Sequence, residues 1–163
     1  MTEVKIKLDG GIMPKRATAG AAAFDLYVPE DVTLESGRQI VNLKFSIELP
    51  HGYAATIQPR SGFSAKGIEC LLKDIFKSET EKEPVRVNAD VVRGLIDEDY
   101  RGNVGVILNV KETARGCYEY ILPKGTRIAQ MQIVEVPEVE LIETEELSET
   151  DRGAGGFGST GGK

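Results

Sequence analysis

Short runs along the chain alternate apolar with polar residues at every second position: Val4 to Leu8, Leu43 to Leu49, Tyr53 to Gln58, Val104 to Val110 and Arg127 to Val136. In an extended chain this period places the apolar side chains on one face, so each run predicts a half-buried strand. Gly10-Gly11, Pro29, Gly37, Pro50-His51-Gly52, Gly116 and Pro123-Lys124-Gly125 punctuate the runs with residues suited to turns. Short strands at this spacing predict an all-β sandwich or jelly-roll barrel rather than a parallel sheet with crossover helices. No internal repeat is visible.

Two segments break the pattern. In Cys70 to Lys77, Leu72, Ile75 and Phe76 fall on one face at helical spacing while Lys73, Asp74 and Lys77 take the other, which predicts a short helix. The charge density of Ser78 to Pro84 then predicts an exposed loop. The second break is the C-terminus: roughly half of Glu135 to Asp151 is acidic and Arg152 to Lys163 is Gly-rich, so little apolar area can be buried there and a mobile end is expected.

Composition agrees with the strand reading. A chain of 163 residues with 40% hydrophobic content supports one core, and 18 Gly, 7 Pro and no Trp suit many strands joined by tight turns. A net charge of −6 argues against a general nucleic-acid binder, which needs clustered Lys and Arg. Cys70 and Cys117 lie far apart, outside zinc or disulfide spacing, and are expected to be reduced. The N-terminus lacks the apolar stretch of a signal peptide and no run approaches a membrane span, so a cytoplasmic protein is expected, in a host's cytoplasm if a virus encodes it. His51, the one histidine, sits in a turn and is assigned no chemistry.

Four stretches ask for a chemical reason. Gly94 to Gly102 crowds Asp97, Glu98 and Asp99 against Tyr100. Alone it reads as a polar turn; functionally, a carboxylate near like charges suits water activation, and Tyr100 offers a flat face to a sugar or base. Spacing does not say which carboxylate is the base. Pro59-Arg60-Ser61-Gly62 follows a strand-like run where a helix could open, so amides, the Ser61 hydroxyl and Arg60 could converge on an anion, or Ser61 could simply cap the helix. Arg152 to Gly161 resembles a linker, yet it embeds Arg152 for a terminal phosphate and Phe157 for stacking. It is not a Walker loop, because the Gly-to-Gly-Lys spacing fails. Arg127 to Met131 lies on an alternating strand. Taken together, the stretches point to a hydrolase of phosphate esters or anhydrides acting on a nucleotide.

The order of these stretches resembles the trimeric dUTPase family across nearly the whole chain. Ala22 to Leu26 is similar to the first family motif, Pro59 to Gly62 to the second and Gly94 to Gly102 to the third. Arg127 to Gln130 matches the fourth and Arg152 to Gly161 the fifth. The resemblance implies a jelly-roll subunit in a homotrimer with shared active sites, hydrolysing dUTP to dUMP and pyrophosphate with Mg²⁺. That reaction keeps uracil out of DNA and supplies dUMP for dTMP synthesis. It implies that Asp97 activates the water attacking the α-phosphorus, and that Tyr100 packs on deoxyribose and leaves no room for a 2′-hydroxyl. Arg60, Ser61, Gly62 and Gln130 would hold phosphates, and Asp25 would reach the substrate-held Mg²⁺ through water. Phe157 would stack on uracil, with Arg152, Gly158, Ser159 and Thr160 also binding substrate. The division expected is a β domain over 1–147, an insertion at about 70–90, and a flexible arm over 148–163 closing on a neighbour's site. No nucleic-acid or membrane partner is expected.

Two departures stand out. Ala23 occupies a position where the family usually has Gly. The stretch Gly67 to Arg93 is about twenty residues longer than the usual connection, so base contacts cannot be assigned within Asn88 to Val92. A tolerated surface insertion is the expected reading; the alternative is a dUTP-responsive regulatory trimer that docks a protein partner there. The same fold also serves dCTP deaminases, but their Arg-Ser-Ser-type phosphate motif is not found. A silent structural trimer would have lost Asp97 or the arm, and both are present.

Overall fold

The longest strand organises the molecule. In β4, Gly37–Glu48, the side chains of Val41, Leu43, Phe45 and Ile47 are buried while Asn42 and Ser46 face outward. β10, Asn103–Val110, pairs antiparallel with it and buries Val104, Val106, Leu108 and Val110 in the same core. Burying one such aliphatic or aromatic side chain contributes about 2 kcal/mol, so this strand pair anchors the fold. The computed structural model describes residues 2–77, 82–111 and 117–155.

The remaining strands are β1, Lys5–Leu8; β2, Phe24–Tyr27; β3, Val32–Leu34; β5, Tyr53–Gln58; β6, Ile68–Asp74; β7, Lys82–Val87; β8, Ala89–Val92; β9, Gly94–Ile96; β11, Tyr118–Leu122; and β12, Arg127–Glu135. One helix, α1, spans Ser61–Lys66. Three four-stranded sheets result, in the orders β1-β4-β10-β8, β3-β11-β6-β7 and β2-β12-β5-β9, with every pairing antiparallel. This is the all-β, jelly-roll-like architecture expected from the alternation, and all the alternating runs fall on strands β1, β4, β5, β10 and β12.

The helix expected over Cys70 to Lys77 is not there. Ile68–Asp74 is strand β6, hydrogen-bonded on one side to β11 and on the other to β7. The period that matters starts earlier: Ile68 and Cys70 are buried with exposed Glu69 between them, and Val87 packs into the same core. A helix here would have set Leu72, Ile75 and Phe76 on one face with nothing to cover it, and Ile75 and Phe76 are 47% and 79% exposed. Isolated helices this short are marginal in water, so sheet partners decide the state. The described part of the insertion is therefore a pair of antiparallel strands that extends a sheet. Burial pushes the Cys70 thiol up to about 11, leaving it a small apolar filler rather than a reactive group.

Gly67 joins α1 to β6 at φ 74°, and a Cβ there would lie 2.5 Å from the Val87 carbonyl oxygen. Only glycine permits both this backbone and the close approach of the hairpin's return strand.

Candidate functional site

The third sheet sets up one half of the site by register. Asp25 on β2 is the cross-strand partner of Gln130 on β12, and Gln130 is in turn the partner of Gln58 at the end of β5. The chain leaves β5 through Pro59 and Arg60 into α1, so the first, second and fourth motif stretches converge at one end of this sheet. Asp25 is the buried charged side chain among the described residues. Its Oδ1 accepts from Arg60 Nε at 2.8 Å and its Oδ2 from Arg127 at 3.2 Å. A buried carboxylate requires such partners, since an unpaired one would be strongly penalised by desolvation. The two guanidiniums remain 27% and 48% exposed, so each keeps donors for a ligand, and the cluster carries net positive charge. Gln130 donates to the Pro59 carbonyl at 3.0 Å, which pins the loop and leaves a second amide hydrogen available. Beside this cluster opens a cleft of about 450 Å³ lined by Arg60, Gly62, Arg127 and, across from them, Glu69, Pro84 and Arg86 of the hairpin.

α1 opens where expected, but Arg60 rather than Ser61 occupies its cap position, with extended φ −84° and ψ 143° and no side-chain cap. Ser61 is the first helical residue and is exposed. That departs from the Ser61-cap reading and leaves its hydroxyl uncommitted to α1.

The other half lies at the opposite end of β5. β9 pairs with β5 in the register Ile57 to Gly94 and Ala55 to Ile96, so the chain after β9 emerges near Gly52. Asp97 is exposed, and among the described residues its carboxylate has no hydrogen-bond or ion-pair partner. Glu98 is committed: Oε2 accepts from Gly52 N–H at 2.6 Å and Oε1 lies 3.0 Å from His51 Nδ1. Its carboxyl is held below the usual range, chiefly by that His51 contact and then by the Gly52 amide. Of the carboxylates crowded here, Glu98 is thus engaged, while Asp97 and Asp99 are both exposed and have no such partner among the described residues. Tyr100 is 44% exposed and its hydroxyl donates to the Asn103 carbonyl at 2.9 Å. A Cβ at Gly102 would meet the Tyr100 hydroxyl and ring, so a side chain there would require the ring to shift. Arg101 closes the loop by donating to the carbonyls of Glu98 and Tyr100.

Asp97 follows Ile96, the partner of Ala55, whereas Asp25 lies at the level of Gln58 on the far edge of the sheet, so a few residues along the strands and three strand spacings across them set the two apart by roughly 20 Å. One chain therefore does not bring Asp97 and Tyr100 together with Arg60, Ser61, Gly62 and Gln130. In the fifth stretch, Arg152 Nε donates to the Gly155 carbonyl at 2.8 Å in an exposed turn. Phe157, Gly158, Ser159 and Thr160 lie outside the described residues. Sequence reasoning missed Arg127 as an Asp25 partner and His51 as a partner of Glu98, since both pairings depend on strands brought together from distant parts of the chain.

The motif order and this geometry agree with sequence comparison: a profile of the dUTPase family matches residues 9–88 and 82–161. The chain belongs to the dUTPase family. A deoxyuridine 5′-triphosphate nucleotidohydrolase from Hydrogenobaculum sp. (strain Y04AAS1) is 41% identical over 162 residues, covering 97% of this chain and 96% of that protein. Among solved structures, a Staphylococcus bacteriophage 80alpha dUTPase with dUpNHpp superposes with a TM-score of 0.77 at 26% identity, covering 99% of both chains. A dUTPase from phage phi11 of S. aureus, described with a structural Mg(II) ion, shares the fold at a TM-score of 0.67 and 22% identity, covering 88% of this chain and 97% of that one. No helix among the described residues is long and apolar enough to cross a membrane.

Proposed function

We propose that the chain hydrolyses dUTP to dUMP and pyrophosphate in a homotrimer whose sites are shared between copies. The observation that carries the reading is the division of the motif residues into an anion-binding cluster around Asp25 and a free Asp97 carboxylate about 20 Å away on the same chain. A water-activating group must lie within hydrogen-bond reach of the reacting water, so the two halves meet only when copies associate. Val139, Leu141, Ile142 and Leu147 support that association, being 75% to 94% exposed on the segment beyond β12. Apolar side chains grouped in this way call for cover.

In this reading Asp97 takes a proton from the water as its oxygen bonds to the α-phosphorus. The α–β bridging P–O bond breaks and pyrophosphate leaves. Arg60, Ser61, Gly62 and Gln130 hold the phosphates, and Tyr100 packs on deoxyribose where a 2′-hydroxyl would clash. The residues 1–147 form the catalytic body, and 148–163 form an arm that supplies Arg152, Phe157, Gly158, Ser159 and Thr160.

Among the described residues no three His, Cys, Asp or Glu side chains converge as a metal cage, and both oxygens of Asp25 are already engaged by guanidiniums. This donor set fits Mg²⁺ held mainly by the triphosphate and reached by Asp25 through water, since Mg²⁺ dehydrates reluctantly. When bound, Mg²⁺ neutralises phosphate charge.

Product analysis tests the reading. Purified protein with Mg²⁺ should convert dUTP alone, among dUTP, dTTP, dCTP and UTP, to the monophosphate and pyrophosphate. Asp97→Asn should lower kcat by about 10² to 10⁴. Ammonia released from dCTP would replace this reading with the deaminase one. A second role, docking of a protein partner by the insertion, is favoured by the exposure of Ile75 and Phe76 just past the end of β6. Replacing both by Ser should then weaken partner binding without touching turnover.

A further inference from the structure

Both ring nitrogens of His51 face carboxylates. Nδ1 lies 3.0 Å from Glu98 Oε1, and Nε2 lies 3.3 Å from Glu138 Oε1. A neutral imidazole has one N–H and one bare lone pair, so it can donate to only one of these oxygens and must set the lone pair against the other. The imidazolium donates to both. Three distant parts of the chain meet at this ring: the Pro50-His51-Gly52 turn between β4 and β5, the loop after β9, and the segment beyond β12. Backbone contacts reinforce the junction, because Gly52 N–H donates to Glu98 and Gly52 carbonyl accepts from Val136 N–H at 2.8 Å. The other charged or titratable groups around it are Arg101, whose charge acts on both Glu98 and Glu48, and the Tyr53 hydroxyl bonded to Glu135 at 3.1 Å.

We propose that the His51 imidazolium is a positioning residue that ties the Asp97–Gly102 loop to the root of the C-terminal segment, and that deprotonation breaks the tie by leaving one of the two carboxylates facing a bare lone pair. The proposal rests on the dUTP reading of Asp97, Tyr100 and the arm. Glu98 is the neighbour of Asp97, so holding the Glu98 side chain fixes how the loop presents Asp97 and Tyr100. Holding Glu138 shortens the free tether that carries Arg152. Groups ordered before the substrate arrives need not be ordered by it, so the gain appears in KM.

The protonation chemistry has a defined sign. His51 is raised from its ordinary 6.5, first by the Glu98 contact and its charge and then by Glu138, while Glu98 is lowered, first by His51. The clamp is thus closed above the lowered carboxyl value of Glu98 and opens as pH rises through the raised value of His51.

His51 is the chain's single histidine, so its ring resonances in an NMR titration report this group without assignment. Glu138→Gln should lower the His51 titration midpoint. Steady-state kinetics with dUTP should show KM of the wild-type chain rising about two- to fivefold as pH passes through that midpoint, the size expected of exposed charged contacts. His51→Ala should have the higher KM at all pH. His51→Arg, a cation that can donate to both carboxylates at any pH, should keep the lower KM without the titration. A midpoint indifferent to Glu138→Gln, or a KM that follows the same pH course in wild type and His51→Ala, overturns the proposal. If the wild-type chain hydrolyses no dUTP, the underlying site reading falls and the proposal with it. Turnover with a KM blind to His51 overturns the proposal alone.

Discussion

Asp25 shows how one buried carboxylate can organise a cationic site. It holds Arg60 and Arg127 from different elements at 2.8 and 3.2 Å, so neither guanidinium has to be positioned by the ligand. Arg127→Ala is expected to leave Oδ2 of Asp25 without its partner and to lower unfolding free energy by about 1–2 kcal/mol in a urea titration. KM for dUTP should rise about tenfold in the same variant, as one of the two cations beside the proposed phosphate site is lost. Arg127→Lys should restore stability better than KM, because an ammonium lacks the fork that reaches Asp25 and a phosphate at once. None of this pairing was legible in the sequence, where Arg127 is only a polar position at the start of an alternating strand. Asp97 was legible as one of a cluster, but its distinction from Glu98 required the Gly52 and His51 contacts that commit Glu98 elsewhere.

At the scale of elements, strands whose alternation is set by their own sequence were readable. Tyr53–Gln58 and Arg127–Glu135 begin at the residues their patterns mark. β6 was misread because its pattern is short and ambiguous, and its state is decided by β11 and β7, which the local sequence does not contain. β9, three residues long, has too few positions for a period to show, yet it aims the Asp97 loop. The hairpin's dependence on its hinge can be tested. Gly67→Ala puts a Cβ against the Val87 carbonyl at a φ of 74° and is expected to destabilise the protein by about 1–3 kcal/mol, read as a lower urea midpoint at unchanged slope. Ala at Gly20, which has open space and no positive φ, should leave the midpoint nearly unchanged.

At the scale of the molecule, the proposed division of the site between copies predicts that activity is a property of several chains. A truncation at residue 147 and the Asp97→Asn variant should each be nearly inactive alone. Refolded together, they should regain activity, because a mixed trimer can combine Asp97 from one copy with an arm from another. Failure to complement, with mixed trimers demonstrated by mass, would place the whole site within one chain.

The apolar side chains of Val139, Leu141, Ile142 and Leu147 have a further consequence for handling the protein. If they are covered only by another copy, dilution uncovers them, and the chain concentration becomes a variable of the reaction in its own right. Specific activity measured at nanomolar chain should drift downward with time and recover on concentration, while a micromolar stock stays constant. Two laboratories using the same preparation at different dilutions would then be measuring different molecules.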